Sequence, residues 1–195
     1  MTAPVTIWWV RHGPTHQKSF CGWRDVDADL SDTGLIDRLD AGLPAHAPVG
    51  SSDLRRAMQT ADAIAGARSR LDPMPQIREF NFGQWDGLGF DEVAARDPET
   101  SRLYWETPGD VAPPGGESWN QLEMRVSGAV AELQGAFSGP DVILVAHIGV
   151  ILTQVAKARG QAPARAIAQP IRPLSVSQIT YDGDQATPGP IDQLY

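Results

Sequence analysis

The stretch "VTIWWVRHG", residues 5–13, decides the fold and poses the main question about function. Its first six residues are β-branched or aromatic, which predicts a buried β-strand. The strand ends in Arg11, His12 and Gly13. In α/β proteins ligands bind beyond the carboxyl ends of the strands, so this cation, imidazole and glycine predict a ligand site there. Without a Cβ atom, Gly13 would let the backbone approach a ligand closely.

A second strand ends in the same way. "DVILVAHIG", residues 141–149, is apolar on both faces, as expected of a central parallel strand, and it runs directly into His147. Because the carboxyl ends of parallel strands meet at one edge of a sheet, we expect His12 and His147 to lie at the same edge.

The rest of the chain alternates between strands and helices. Helices are predicted over 30–43, 54–67, 90–98, 118–137 and 150–160, the first of them capped by Ser31 or Asp32. Further strands are predicted over 47–53 and 174–183, the second of them near a sheet edge. Residues 74–80 are predicted to form a short strand or an extended segment. A Pro/Gly loop is predicted over 107–118 and an irregular tail over 184–195. This pattern predicts an α/β fold, a three-layer α/β/α sandwich with a mostly parallel central sheet. We expect one domain over residues 1–195, in which residues 81–117 form a small cap insertion.

Composition limits the classes of partner. The formal net charge is −8, which argues against nucleic acid and against anionic membranes, so a phosphate-binding pocket would be a local cationic island. The single cysteine, Cys21, excludes an internal disulfide and is interpreted as a small, partly buried side chain rather than a nucleophile. The N-terminus lacks the features of a signal peptide, and no apolar run approaches the roughly 18 residues of a membrane span. We therefore expect a cytoplasmic protein, and the oligomeric state stays open.

The residues at the strand ends suit phosphoryl chemistry. Arginine forks bind phosphoryl oxygens bidentately, and a neutral imidazole can act as a nucleophile. A second imidazole can stabilise the charge that develops on the phosphoryl oxygens, and an acid must protonate the departing alcohol. The chain offers each of these groups near a predicted strand end or helix start.

Five motifs occur in an order that resembles the histidine phosphatase superfamily, also called the phosphoglycerate mutase-like family. They are "VRHGPT", "SSDLRRAMQTA", "REFNFGQWDG", "PPGGES" and "LVAHIGV", and the resemblance spans residues 5 to about 152. It implies a phosphoglycerate mutase-like fold.

The resemblance also implies roles for the phosphate-binding residues. His12 would be the nucleophile that becomes phosphohistidine, with Arg11 beside it on the phosphoryl oxygens. The family arginine of the second motif directly precedes an alanine, so Arg56 would be the second clamp and Arg55 a surface residue. His147 would be the second imidazole of the pocket.

Two further roles follow from the resemblance. Glu79 matches the usual proton donor, with Asp86 and Asp53 as alternative carboxylates. Thr15 matches a hydroxyl position that often contacts the phosphate. His16 and His46 are interpreted as solvated loop residues, although His16 is also a candidate for the pocket rim.

The tryptophans and the departures from the family pattern bear on substrate choice. Most tryptophans are expected in the core, but Trp23, Trp85 and Trp105 are candidates for walls of a substrate cleft. Pro14, Lys18 and Ile148 replace residues that are common in the family, and Ile148 is expected to narrow the leaving-group side. None of these replacements removes a catalytic group, but together they make borrowed substrate assignments unsafe.

The sequence therefore predicts a metal-independent phosphatase that needs no cofactor and hydrolyses phosphate monoesters of small metabolites. Its only expected partner is a phosphorylated small molecule. A phosphoglycerate mutase-type phosphotransferase shares the pocket, but such mutases are usually longer, with extra segments around a second phosphate. A non-catalytic phosphate-binding regulatory protein on the same fold is the third hypothesis.

Overall fold

A five-stranded sheet forms the centre of the molecule in the computed structural model, which describes residues 3–195. The strands are β1 (Val5–Arg11), β2 (Val49–Ser51), β3 (Asp141–Ala146), β4 (Val176–Asp182) and β5 (Gln185–Pro188). Their order across the sheet is β2-β3-β1-β4-β5.

Strands β1 and β3 are parallel neighbours, and this register positions the site. Arg11 pairs with Ala146, so the next residue of each strand, His12 and His147, leaves the sheet at the same level. The backbone N–H of His12 continues the ladder by donating to the Ala146 carbonyl. The predicted meeting of the two imidazoles at one edge is confirmed.

The expectation of a mostly parallel sheet is correct only for its first three strands. β2 and β1 both run parallel to β3, but β4 runs antiparallel to β1 and β5 antiparallel to β4. The prediction of an irregular tail over 184–195 was wrong for Gln185–Pro188, because a tight turn with Gly183 at φ +57° folds the chain back onto β4 as β5.

Seven helices surround the sheet within residues 3–195: α1 (Thr33–Gly42), α2 (Arg55–Ala63), α3 (Phe90–Arg96), α4 (Pro98–Glu106), α5 (Trp119–Ala136), α6 (Ile148–Arg159) and α7 (Pro163–Ala166). Asp32 caps α1 by accepting from the Leu35 N–H, which settles the choice between Ser31 and Asp32. Residues 74–80 are not a strand, since Pro75–Ile77 forms a 3₁₀ turn.

The core has one layer on each face of the sheet and a third cluster beyond its carboxyl edge. Trp9 and Leu144 pack with α5 and α6 on one face, and Val10 and Val145 pack with α1 and α2 on the other. The third cluster contains Phe20 together with side chains of the 81–117 segment and covers the edge at which the two histidines lie. The fold is therefore a mixed α/β fold whose central sheet is flanked by helices.

Candidate active site

The hydrogen bonds of His12 define its protonation state. Its Nδ1 atom lies 2.7 Å from the Gly13 carbonyl oxygen, which can only accept, so Nδ1 carries the proton. Its Nε2 atom accepts from the Nε of Arg56 at 3.2 Å. Burial, and after it the Arg56 charge, lower the pKa of His12 to about 3. The ring is therefore neutral at pH 7, with the Nε2 lone pair on the side of Arg56.

Arg56 is almost fully buried although it is charged. Besides its bond to His12, its two terminal nitrogens donate to the carbonyls of Gly22 at 2.7 Å and Arg24 at 3.0 Å. The adjacent Arg55 is exposed and forms an ion pair with Asp27. The helix thus brings Arg56 and not Arg55 to His12, as the register of the motif predicts.

Arg11 reaches the site from the last position of β1. Its Nη1 donates to the carbonyl of Ile171 at 2.5 Å, and its buried Nε has no hydrogen-bond partner among the described residues. An unpaired donor on a buried guanidinium is costly unless another group accepts from it. Arg11 therefore offers a free donor beside His12.

His147 lies against His12 and is completely buried. The two ring centroids are 5.1 Å apart with an interplanar angle of 58°. Neither ring nitrogen of His147 has a hydrogen-bond partner within residues 3–195. Burial, followed by the Arg56 charge, lowers its pKa well below the ordinary value, so this imidazole is also neutral.

Glu79 is buried at the same end of the molecule. Its Oε1 accepts from the backbone N–H of Phe80 at 2.9 Å and of Gly149 at 3.1 Å. Burial raises the pKa of this carboxyl. The two backbone donors and the Arg56 charge lower it, but they do not outweigh the effect of burial. A raised pKa favours the protonated form, which a proton donor requires.

The alternative carboxylates are engaged elsewhere. Asp53 makes a bidentate ion pair with Arg78, in which the Nε of Arg78 donates to the Oδ1 of Asp53 at 2.7 Å. Asp86 accepts from the backbone N–H groups of Gly22 and Arg24 and so holds the loop that carries Cys21. Of the three candidates, Glu79 is the one that lines the cavity described next.

A cavity of about 340 Å³ opens onto these side chains. Five of the six predicted site residues line it, namely Arg11, His12, Thr15, Arg56 and Glu79, and the sixth, His147, lies behind His12. Ile148 also lines the cavity, in agreement with the expectation that it restricts this side.

Other sequence candidates lie apart from the cavity or differ from expectation. Trp105 lines it, but Trp85 is fully buried in the third core cluster and Trp23 donates to the Glu79 carbonyl from outside. His16 is not a rim residue, because it pairs with Asp29 on the surface at 2.7 Å. A Cβ atom on Gly13 would lie 2.7 Å from the Leu30 side chain, so packing by itself requires a glycine at this position.

Two residues near the site carry no signal that the sequence analysis detected. The Thr60 hydroxyl accepts from the Gly13 N–H and donates to the Arg56 carbonyl, which ties the end of β1 to α2. Arg125 donates to the carbonyls of Gln76, Arg78 and Glu79 and makes a two-pronged ion pair with Glu117. Arg125 therefore fixes the backbone that carries Glu79.

The fold and this cluster of groups define an α/β protein with a pair of neutral histidines and two arginines at the carboxyl edge of the sheet. The model of the histidine phosphatase superfamily (branch 1) matches residues 7–188. The chain belongs to this superfamily.

Named relatives include phosphatases. The chain is 35% identical over 158 residues to a glucosyl-3-phosphoglycerate phosphatase of Mycobacterium tuberculosis, covering 73% of this chain and 70% of that one. It is 32% identical over 154 residues to a metal-independent phosphoserine phosphatase of Arabidopsis thaliana, covering 73% and 63%. The chain spans about half the length of other curated relatives, 92% of this chain and 52% of each of those. The solved structure of Bacillus stearothermophilus YhfR superposes with a TM-score of 0.86 at 26% identity, covering 98% of both chains.

Within residues 3–195 no helix combines the length and the apolar character needed to cross a bilayer. In the same part of the chain no group of three or more His, Cys, Asp or Glu side chains is arranged to hold a metal ion.

Proposed function

We propose that this chain is a phosphatase that hydrolyses phosphate monoesters of small metabolites through a phosphohistidine, without a metal ion. The observation that carries the proposal is the state of His12. It is neutral, its Nδ1–H donates to the Gly13 carbonyl, and its Nε2 lone pair lies beside Arg56 in a cavity. This is the state that an imidazole nucleophile requires.

In the first step the Nε2 of His12 attacks phosphorus in line and the P–O bond to the alcohol breaks. Arg56 and Arg11 donate to the phosphoryl oxygens, and the free Nε of Arg11 supports this role. His147 does not line the cavity and packs against the His12 ring with both ring nitrogens unpartnered, so its contact to the phosphoryl oxygens stays a prediction. The guanidinium charges perform the neutralisation that Mg²⁺ provides in other phosphoryl-transfer enzymes.

Glu79 acts on the leaving group and then on water. Its raised pKa keeps a proton available for the departing alkoxide. Once deprotonated, the carboxylate takes a proton from the water that attacks the phosphohistidine, which releases phosphate and regenerates neutral His12. Glu79 acts as an acid in the first step and as a base in the second, because the first step needs a proton and the second releases one.

The test traps the intermediate. In Glu79→Gln, labelled p-nitrophenyl phosphate can still phosphorylate His12, because its leaving group needs no acid, but hydrolysis is slowed. We expect protein-bound label that is lost in acid and stable in base, as a phosphoramidate is. Exposed Glu132 on α5 gives the matched control, Glu132→Gln, which should accumulate no label. Acid-stable label, or label that persists in His12→Asn combined with Glu79→Gln, would defeat the proposal.

The mutase alternative needs cations for a second anionic group of its substrate. Within the described lining of the cavity, the cationic side chains are Arg11 and Arg56, and both lie at His12. This favours hydrolysis of a monoester over phosphoryl transfer between the positions of a bisphosphorylated substrate.

A further inference from the structure

The cavity has a charged end and a long uncharged remainder. Arg11, Arg56 and Glu79 are the charged side chains among the described residues that line it, and all three serve the phosphoryl group in the proposed reaction. Everything beyond them is aromatic, aliphatic or neutral polar. The leaving group of the substrate must occupy this remainder, because the phosphoryl group occupies the charged end.

One wall of the remainder is aromatic and organised around Phe20. The ring centroid of Phe20 lies 4.9 Å from that of Phe82, 4.8 Å from that of Phe90 and 6.0 Å from that of Trp105, which it stacks at an interplanar angle of 30°. Phe90 and Trp105 remain 55% and 41% exposed. A contiguous exposed apolar patch, unlike a single exposed side chain, marks a binding surface.

A second part of the lining, the neutral wall, carries no charge. It consists of Thr15, Gln17, Ser19 and Cys21, and burial raises the pKa of the Cys21 thiol, so that it stays protonated. Two cations flank this wall in the chain, exposed Lys18 and Arg24, and neither lines the cavity. The Arg24 guanidinium donates to the side chains of Gln17 and Ser19 and faces Asp86 at 3.8 Å. This wall therefore offers hydrogen bonds but no charge to a carboxylate or a second phosphate.

We infer that the substrate's leaving group is an uncharged aromatic alcohol, held in this cavity by the Phe20 wall and the neutral wall. The inference rests on the proposed function and names its substrate class. A carboxylate on the leaving group would lose its hydration against the electronegative faces of aromatic rings without gaining an ion pair. An aromatic ring, by contrast, gains burial and favourable ring contacts.

The experiment compares monoesters that all release a primary alkoxide, so that leaving-group chemistry is matched. Values of kcat/KM are measured for 2-phenylethyl phosphate, O-phosphoserine, 3-phosphoglycerate and glucose 6-phosphate. We expect 2-phenylethyl phosphate to exceed each of the others by about 10–100-fold, the advantage of burying one ring. Equal or higher values for an anionic or sugar monoester overturn the inference.

Substitutions in the aromatic wall test whether this wall causes the preference for 2-phenylethyl phosphate. Trp105→Ala is expected to reduce kcat/KM for 2-phenylethyl phosphate by about tenfold more than for glucose 6-phosphate. Met124 is 71% exposed on α5 and supplies the control, Met124→Ala, which should leave the ratio unchanged. In Phe90→Arg a cation enters the exposed wall, and the ratio of 2-phenylethyl phosphate to O-phosphoserine should fall. An unchanged ratio in both Trp105→Ala and Phe90→Arg overturns the inference.

Failure of this inference differs from failure of the proposed function. If the phosphatase assignment is wrong, no monoester is hydrolysed and no acid-labile label forms in Glu79→Gln. If only the substrate class is wrong, hydrolysis and labelling persist but the aromatic monoester has no advantage.

Discussion

A single methyl group at Gly149 should disable the proton donor. Gly149 is the second residue of α6, and a Cβ atom there would lie 2.3 Å from the Oε1 of Glu79 and 2.4 Å from the Phe80 ring. Ordinary van der Waals contact begins at 3.4 Å, so the carboxylate of Gly149→Ala must move by about 1.1 Å. It would then lose its short contact to the Gly149 N–H.

The displacement sets the size of the effect. A misplacement of about 1 Å in a catalytic group costs on the order of 100-fold in rate. For an alkyl phosphate, whose alkoxide needs the proton of Glu79, we expect kcat/KM to fall by about that factor. For p-nitrophenyl phosphate the first step needs no acid, so kcat/KM should fall less than about fivefold. Overpacking should also cost about 1–3 kcal/mol of the free energy of unfolding.

Gly128 supplies the matched control. It lies inside α5 with open space around it, so Gly128→Ala should raise the free energy of unfolding by about 0.5–1 kcal/mol and leave both kcat/KM values unchanged. The assays are steady-state kinetics on both substrates and urea unfolding. If Gly149→Ala lowers kcat/KM equally for the two substrates, or for neither, Glu79 is not the proton donor held at this position.

Four further outcomes are expected. Arg56→Ala should lower kcat by at least about 100-fold, since it removes a buried clamp on the phosphoryl group, whereas Arg55→Ala should be mild; the reverse result in steady-state assays would contradict the geometry of α2. Activity should survive excess EDTA and be inhibited by vanadate, which imitates five-coordinate phosphorus; loss on chelation with recovery on adding Mg²⁺ would refute the metal-independent site. The pKa of His12 is depressed from 6.5 to about 3, so between these values the unfolded chain binds a proton that the folded chain excludes, and stability falls as pH falls. His12→Asn should flatten that dependence by about 1.4 kcal/mol per pH unit in urea unfolding, and an unaltered slope would argue against a buried neutral imidazole. Arg125→Met should lower kcat/KM for alkyl phosphates more than for p-nitrophenyl phosphate, because Arg125 fixes the backbone of Glu79; an equal loss would indicate a merely structural role.

The sequence predicted the parts of the fold that depend on long apolar runs. Strands β1 and β3 contain the apolar runs 7–10 and 142–146, and the meeting of His12 and His147 follows from the parallel pairing of these strands. β5 escaped prediction because Gln185–Pro188 is polar and ends in proline, and its pairing depends on the turn at Gly183.

Helix α4 escaped for a different reason. The sequence predicted a helix over 90–98 and none between 99 and 117, whereas α3 ends at Arg96 and α4 begins at Pro98. Proline is favoured in the first turn of a helix, where its missing N–H costs nothing. Asp97 therefore caps the end of α3 and the start of α4. The missed helix carries Tyr104 and Trp105 to the cavity, so the aromatic wall could not be assembled from the sequence.

In the candidate site, too, some residues were predictable from the sequence and others were not. His12, Arg11, Arg56, Glu79 and Thr15 were selected by motif, and the structure brings them to one cavity, while their catalytic roles remain predictions. Contacts that join distant segments through the backbone were not predictable. Arg125, for example, meets carbonyls nearly fifty residues earlier in the chain, with no periodic pattern to signal it.

The way in which the two arginines are held has a consequence for evolution. Within residues 3–195, every hydrogen bond donated by Arg11 or Arg56 goes to a backbone carbonyl or to the His12 ring. Carbonyls orient a guanidinium without cancelling its charge, so a chain with a net charge of −8 keeps two full positive charges at one point. Because Ile171 and Arg24 contribute only their carbonyls to the clamp, the clamp does not depend directly on the chemistry of their side chains. The orientation of the two phosphate-binding arginines therefore depends on the backbone conformation, and the side chains of the cavity walls can change independently of it.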